Sequence, residues 1–439
     1  MSSGTDDTHR AELRSWIDSA NAPATDFPIQ NLPLGCFRRD GRARPGVAIG
    51  DQIADLAAMR AALQIEPRIH DAIEASAAQG ALNPLLALGR TALRELRAAL
   101  SDALRSEPSS GERARSLGDA ILVPMRDATM MLPVRVGDYT DFYASIDHAS
   151  NVGSMFRPDN ALLPNYKWVP IGYHGRASSI VPSGTPVRRP SGQTREESSS
   201  PPVFGPSRRL DYELEVGAII ADGNALGAPI PIASAEQHVA GLCLVNDWSA
   251  RDIQAWEYQP LGPFLAKSFA TTLSPWIVTL DALAPFRVPA TDRPEGDPAP
   301  LPYLDDAADR SKGGFDVSLE VLLSTRRMRE DGVPPWRASA GSFAAMYWTL
   351  AQMVAHHTSN GCNLQPGDLL ASGTVSGPTK ESRGCLLERT WRGSEPIALP
   401  TGESRRFLED GDEVIMRAWC ERDGRRRIGF GECRGIVSA

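Results

Sequence analysis

The stretch LDYELEVGAIIADG (210–223) constrains the fold more than any other. Leu210, Tyr212, Leu214 and Val216 fall on one side of it, and Asp211, Glu213 and Glu215 on the other. A period of two is that of a β-strand with one face on a core. By pattern alone, the acidic side of such a strand faces solvent. Further strands are expected in FPIQNLPLGCF (27–37), PGVAIGDQIADLAA (45–58), HVAGLCLVND (238–247), FDVSLEVLLST (315–325), LLASGTVSGP (369–378) and DEVIMRAWC (412–420). The 35 prolines and 38 glycines suit many turns between short strands better than long helices.

Helices are fewer. Leu86, Leu93, Leu96, Leu100 and Leu104 form one apolar stripe, which predicts a helix over roughly 81–106. Phe343, Met346, Leu350, Met353 and His357 predict another over 340–361, stopped at Gly361. A third follows Asp247, with Ser249 and Asp252 as a capping box and Pro260 barring continuation. Residues 1 to about 25 read as a frayed tail, and 293–314, rich in Pro, Asp and Gly, as an exposed loop. The first 120 residues read as a small barrel-like unit with helices. A length of 439 residues suggests two domains, or one large domain with an appendage.

A net charge of −8 argues against a phosphate-backbone binder and for a soluble cytoplasmic protein. No secretory signal is expected from the polar, acidic MSSGTDDTHR start, and no apolar run nears the ~20 residues that span a bilayer. The six cysteines form no CxxC pair, so neither a zinc site nor a disulfide framework is expected.

Several residues could carry chemistry. Asp247 ends an apolar run, a common position for a site carboxylate. With Asp141, Glu213 and Glu215 it makes four carboxylates from three separated segments, hard ligands of the kind that suit Mg²⁺ or Ca²⁺. Arg251, Gln254 and Tyr258 share a helix face, which is ordinarily polar surface, although here it follows Asp247. Lys267, in an apolar stretch, is either snorkelling or a buried partner for carboxylates. His148 is one of seven histidines, and a lone histidine is more often structural than catalytic. Glu388 interrupts an apolar strand and would need a partner, for which a histidine is natural. No phosphate loop and no GxSxG elbow is present.

The segments FPIQNLPLG, DYTDFY…HASNVG, PIGYHGRASSIVPSGTPVRRP, RLDYELE, NDWSARDIQAWEYQPLGPFLAKS and ASGTVSGP resemble those of the fumarylacetoacetase family. The likeness covers nearly the whole chain beyond the tail. It implies a mostly β fold with some α. A flexible tail (1–25) would precede a small N-terminal SH3-like β-barrel domain (26–120) and a larger C-terminal β-sandwich or roll domain (121–439). It implies hydrolysis of the carbon–carbon bond of fumarylacetoacetate to fumarate and acetoacetate, at the end of tyrosine and phenylalanine degradation. A cytoplasmic homodimer acting on a small diketo acid, and on neither nucleic acid nor membrane, is implied as well. A related acylpyruvate or β-diketone hydrolase, or a metal-binding relative without turnover, are the rival readings.

Residue by residue, the resemblance implies metal carboxylates at Asp141, Glu213, Glu215 and Asp247, with Lys267 and Thr271 near the metal. His148 matches a catalytic base and Glu388 the acid that orients it. Tyr143, Arg157, Tyr173, Gln254, Tyr258 and Thr374 match substrate contacts. Arg251, Gln254 and Lys267 match groups that stabilise developing negative charge. Ala270 stands where the family leads one to expect glycine, and its methyl could narrow the metal surroundings. Bringing Asp141, Tyr143 and His148 into one site requires that 138–153 not be one helix: Asp141 to Tyr143 should be irregular or extended, with any helical turn later. Asp138 and Asp147 are then structural or solvated.

Overall fold

The structure is a computed structural model that describes residues 4–107, 111–195 and 200–439. In chain order its main elements begin with β1 (Leu34–Arg39), β2 (Arg42–Ile49), β3 (Gln52–Asp55), α1 (Pro67–Gln79), α2 (Gly89–Leu104) and β4 (Leu122–Pro124). Then come β5 (Tyr139–Phe142), α3 (Ile146–Phe156), β6 (Gly172–Gly175), β7 (Leu210–Asp211), β8 (Leu214–Ile220) and β9 (Val239–Asp247). They are followed by α4 (Arg251–Glu257), β10 (Thr271–Leu273), β11 (Trp276–Thr279), β12 (Ser318–Ser324) and β13 (Trp336–Ser342). The chain ends with α5 (Leu350–Thr358), β14 (Leu369–Ala371), α6 (Leu386–Arg389), β15 (Glu413–Cys420) and β16 (Ile428–Ser438).

The fold is mixed and sheet-rich, with a small N-terminal part and a larger C-terminal part. One sheet runs through both, in the order β4-β3-β2-β1-β11-β9-β8-β14-β5-β6. A second sheet runs β13-β12-β15-β16. The hydrophobic effect explains why β8 and β9 are buried on both faces. Val216, Ala218, Leu242 and Leu244 join the core shared with the second sheet. Ile219, Cys243 and Val245 join a core that contains Leu93, Leu96 and Leu100 of α2. The leucine stripe of α2 thus covers the back of the C-terminal sheet.

Several expectations are corrected. The supposed tail is packed over its described residues: Thr8, Leu13, Ser15 and Ile17 are buried, and the His9 ring bonds the Asp281 carbonyl at 2.7 Å. Residues 27–33 are not strand, and pairing starts at Leu34. The 81–106 helix is two pieces, Asn83–Leu86 and α2, separated where Gly89 takes a φ of +76°. The 210–223 strand breaks between Asp211 and Leu214. In 340–361 the first residues belong to β13, and helix begins only at Leu350, where Thr349 and Gln352 form a capping box. Phe343 and Met346 are buried without being on that helix. Ser249 and Asp252 form no capping box: the N-cap is Ala250 with no side-chain bond, and Asp252 accepts from Ser207, the Arg208 N–H and the adjacent Ile253 N–H. The 293–314 segment is mostly exposed, as expected, but it is anchored and partly helical. Asp297 takes bonds from Lys167 and Tyr347, Leu304 is buried, and Ala307–Lys312 is helical.

Candidate active site

Sheet order gathers the acids. Asp141 on β5 stands beside Ala371 of β14, and Ala371 beside Gly217 of β8. Asp247 ends β9, its N–H bonded to the Glu213 carbonyl. Asp141, Glu213, Glu215 and Asp247 therefore meet at one sheet end, with a carboxylate oxygen from each within 4.8 Å of the others. All four are buried, Glu215 completely. The expectation that Glu213 and Glu215 are solvated is wrong. Their strand is interior because α2 covers one face and the second sheet backs the other, which local alternation does not encode.

Two of these carboxylates are paired and two are not. Lys267 is buried and donates to Glu213 and, at 2.6 Å, to Asp247. Arg251 Nη2 lies 2.7 Å from Glu213. Burial pushes Glu213 up, but Lys267 and Arg251 outweigh it and hold the carboxyl well below the usual range. Asp141 Oδ1 and both oxygens of Glu215 are buried without a hydrogen-bond partner among the described residues. Burial, then the neighbouring carboxylates Asp247 and Asp141 respectively, push Asp141 and Glu215 well above the ordinary carboxylate range. Orphaned buried acids of this kind are costly unless a cation completes them. A hard divalent ion fits this donor set. Thr271 Oγ1 donates to Asp247 at 3.1 Å, and Tyr173 Oη to its other oxygen at 3.2 Å. The Ala270 methyl is buried in the apolar core, and Thr271 reaches Asp247 beside it.

The opening of α3 brings His148 to the same place. β5 ends at Phe142, and Ser145 caps α3 by accepting from the His148 N–H. The segment is extended at Asp141 and helical from Ile146, as the site required. His148 Nδ1 lies 2.6 Å from Glu388 Oε2. Glu388 is on a single helical turn, α6, rather than in a strand. It also accepts from Asn151 and Ser376, each at 2.8 Å, and from the Cys385 thiol at 3.2 Å. Burial would raise the Glu388 carboxyl, but His148, Asn151 and Ser376 hold it down to about 2. With the carboxylate as acceptor, the network assigns a proton to His148 Nδ1, which makes Nε2 the basic nitrogen of the neutral ring.

Asp211 is a residue whose role sequence reading missed. It accepts from Arg251 Nε at 2.9 Å and from the N–H groups of Leu386 and Leu387, so it ties α4 to α6. Its place on the acidic side of the strand was the available signal. Asn151 and Ser376 gave none.

A cavity of about 420 Å³ opens onto these groups. Asp141, Tyr143, His148, Arg157, Tyr173, Glu213 and Glu215 line it, with Arg251, Gln254, Tyr258, Lys267 and Thr374. Asp247, Thr271 and Glu388 stand behind that wall. Tyr143 packs edge-on against the His148 ring, centroids 5.3 Å apart. Thr374 Oγ1 is buried with no partner among the described residues, a donor left for a ligand. Arg251 Nη1 holds Gln254 Oε1 at 3.1 Å, which leaves the Gln254 amide N–H groups to donate. The Arg251, Gln254 and Tyr258 face is thus cavity wall, not polar surface.

A carboxylate nest and an oriented imidazole on one cavity are the equipment of a hydrolase. Comparison with known proteins narrows this. The family model described as "Fumarylacetoacetate (FAA) hydrolase C-terminal" matches residues 138–438, and the one described as "Fumarylacetoacetase N-terminal" matches residues 30–133. The fumarylacetoacetase of Bos taurus is 50% identical over 421 residues, 95% of this chain and 97% of that protein. That of Oryza sativa subsp. japonica is 49% identical over 434 residues, 98% of each. That of Homo sapiens is 49% identical over 421 residues, 95% of this chain and 97% of that protein. The solved fumarylacetoacetate hydrolase from psychrophilic Exiguobacterium antarcticum matches with a TM-score of 0.51 at 18% identity, covering 93% of this chain and 99% of that one, a likeness of fold. The chain belongs to the fumarylacetoacetase family.

Proposed function

We propose that the protein hydrolyses the carbon–carbon bond of fumarylacetoacetate, giving fumarate and acetoacetate in the last step of tyrosine and phenylalanine degradation. The observation that carries this is the opening of the His148–Glu388 pair and the four-carboxylate cluster onto one cavity. Asp141, Glu213, Glu215 and Asp247, with Lys267 and Thr271 alongside, would hold a Mg²⁺ or Ca²⁺ ion, which would supply Lewis acidity for the diketone oxygens.

The chain's own residues do the rest. His148 Nε2 takes a proton from water as the oxygen attacks the carbonyl of the fumaryl half. Glu388 fixes the tautomer and stabilises the imidazolium without taking its proton. Gln254 amide N–H groups and the charges of Arg251 and Lys267 face the developing oxyanion. The bond from that carbonyl carbon to the methylene breaks, and its electron pair stays on the acetoacetate half. A proton, balanced by the one on the imidazolium, restores the methyl group. Tyr143, Arg157, Tyr173, Tyr258 and Thr374 position the substrate around this centre. Tyr143 also holds the His148 ring edge-on, which limits its rotation.

On the same reading the enzyme is a cytoplasmic homodimer. Leu261, Phe264 and Leu265, next to the cavity-lining Gly262 and Pro263, are exposed apolar side chains of the kind a partner covers. Among the described residues no helix is long and apolar enough to cross a membrane. The test is product analysis with Mg²⁺ present, with acylpyruvates assayed in parallel. Fumarate and acetoacetate should appear one to one; faster cleavage of an acylpyruvate would reassign the substrate.

A further inference from the structure

The catalytic cavity shares a wall with a second, more open groove of about 680 Å³. Arg209, Ala255, Arg392 and Phe407 line both. Arg406 lines the groove just outside them. Among the described residues, none of Arg209, Arg392 and Arg406 has a carboxylate partner. Three unpaired guanidinium groups at one mouth run against a chain whose net charge is −8. On average that chain repels a dianion.

Arg392 is also held in place. Its Nη1 donates to the Met155 carbonyl at 2.9 Å, and its Cζ sits 4.6 Å from the Phe156 ring centroid. The backbone beneath it is left-handed at two successive non-glycine residues, Trp391 at φ 45° and Arg392 at φ 60°, before Gly393 at φ 89°. L residues disfavour that region, and where they persist in it they cluster at ligand sites. The left-handed turn packs Trp391 beside Leu387 and Phe407 and presents the exposed Arg392 to the cavity. Arg209 is fixed differently: its carbonyl accepts from the Arg251 N–H at 2.9 Å, and it directly precedes Asp211's strand.

We infer that Arg209 and Arg392 form an anion subsite at the cavity mouth that grips the carboxylate at the fumaryl end of the substrate, with Arg406 drawing it in from outside. This rests on the substrate reading above. A guanidinium fork matches a carboxylate with two parallel N–H bonds. Ala255 and Phe407, which line the cavity with the two arginines, suit the flat apolar carbons of an enoyl chain.

The test compares Arg209→Gln, Arg392→Gln, Arg209→Lys and the double glutamine variant with the parent enzyme. Arg38→Gln, a distant exposed arginine on β1, is the control. Steady-state kinetics on fumarylacetoacetate are combined with inhibition by fumarate and by crotonate, which has the same carbon chain and one carboxylate. Each glutamine variant should lower kcat/KM about tenfold, mainly through KM, as loss of a charge-assisted bond does. The preference for fumarate over crotonate should collapse with it, Arg209→Lys should fall between, and kcat/KM of the double variant should depend less on ionic strength than the parent's. Arg38→Gln should match the parent. Unchanged KM and an unchanged fumarate preference in both glutamine variants, with melting temperatures preserved, would overturn the subsite. If the parent enzyme does not cleave fumarylacetoacetate, the substrate reading fails by itself. Calorimetric titration of fumarate and crotonate into Mg²⁺-loaded parent and Arg392→Gln protein then still decides the subsite.

Discussion

Asp141 Oδ1 and both oxygens of Glu215 are buried with no hydrogen-bond partner among the described residues, while Glu213 and Asp247 beside them are paired. His148 and Glu388 show the opposite economy: every oxygen of Glu388 has a donor. That difference separates a donor set suited to a cation from a base already aimed. Glu388→Gln should therefore lower kcat on the order of a hundredfold or more, because an amide can leave His148 with the wrong tautomer. Mg²⁺ affinity, read by titration calorimetry, should not change, since Glu388 is no part of the carboxylate cluster. A matching loss of Mg²⁺ affinity would contradict this separation of roles. At this scale the sequence was partly legible. Asp247 at a strand end and Glu388 in an apolar run announced themselves. Glu213 and Glu215 looked solvated because their cover comes from residues more than a hundred positions away.

At the scale of elements, the opening of α3 decides the site. The Ser145 cap lets β5 end and the helix begin, so that Asp141 and His148 face one cavity. Gly153 on α3 is equally constrained: a Cβ there would sit 1.8 Å from the Ala161 carbonyl oxygen. Gly153→Ala should cost roughly 1–3 kcal/mol and displace α3, lowering both the melting temperature and kcat. An unchanged melting temperature would show that the 157–161 loop yields freely. Periodicity located most elements but not their limits. Phe343 and Met346 kept helical spacing while lying outside the helix, because burial alone selects apolar residues. Asp252 matched a capping pattern yet serves the Ser207–Arg208 turn instead. Nothing local marks the left-handed turn at Trp391 and Arg392.

At the scale of the molecule, α2 and the C-terminal sheet share one core, so the N-terminal part is also the back wall of the site's scaffold. Leu96→Ala should cost about 2–5 kcal/mol, and the lower melting temperature should appear in a single transition for both parts. A separate early transition with activity retained would contradict the shared core. Cation binding should be visible in the same measurement. Asp141 and Glu215 sit above their unfolded values through burial and their carboxylate neighbours. Between the unfolded value of about 4 and the raised folded one, the metal-free native state binds more protons than the unfolded chain, so its stability falls as pH rises. Mg²⁺ replaces those protons, so its stabilisation over EDTA should be larger at pH 8 than at pH 5. Equal shifts at both pH values would contradict the assignment of these two acids.

The most direct test follows the diketone absorbance of fumarylacetoacetate with Mg²⁺ present, then after EDTA, for the parent and for His148→Ala. The parent should consume the diketone and stop on chelation. His148→Ala should be slower by a hundredfold or more while its Mg²⁺-dependent rise in melting temperature is retained. Turnover that survives EDTA, or is equal in His148→Ala, would contradict a cation-assisted hydrolysis in which His148 is the base.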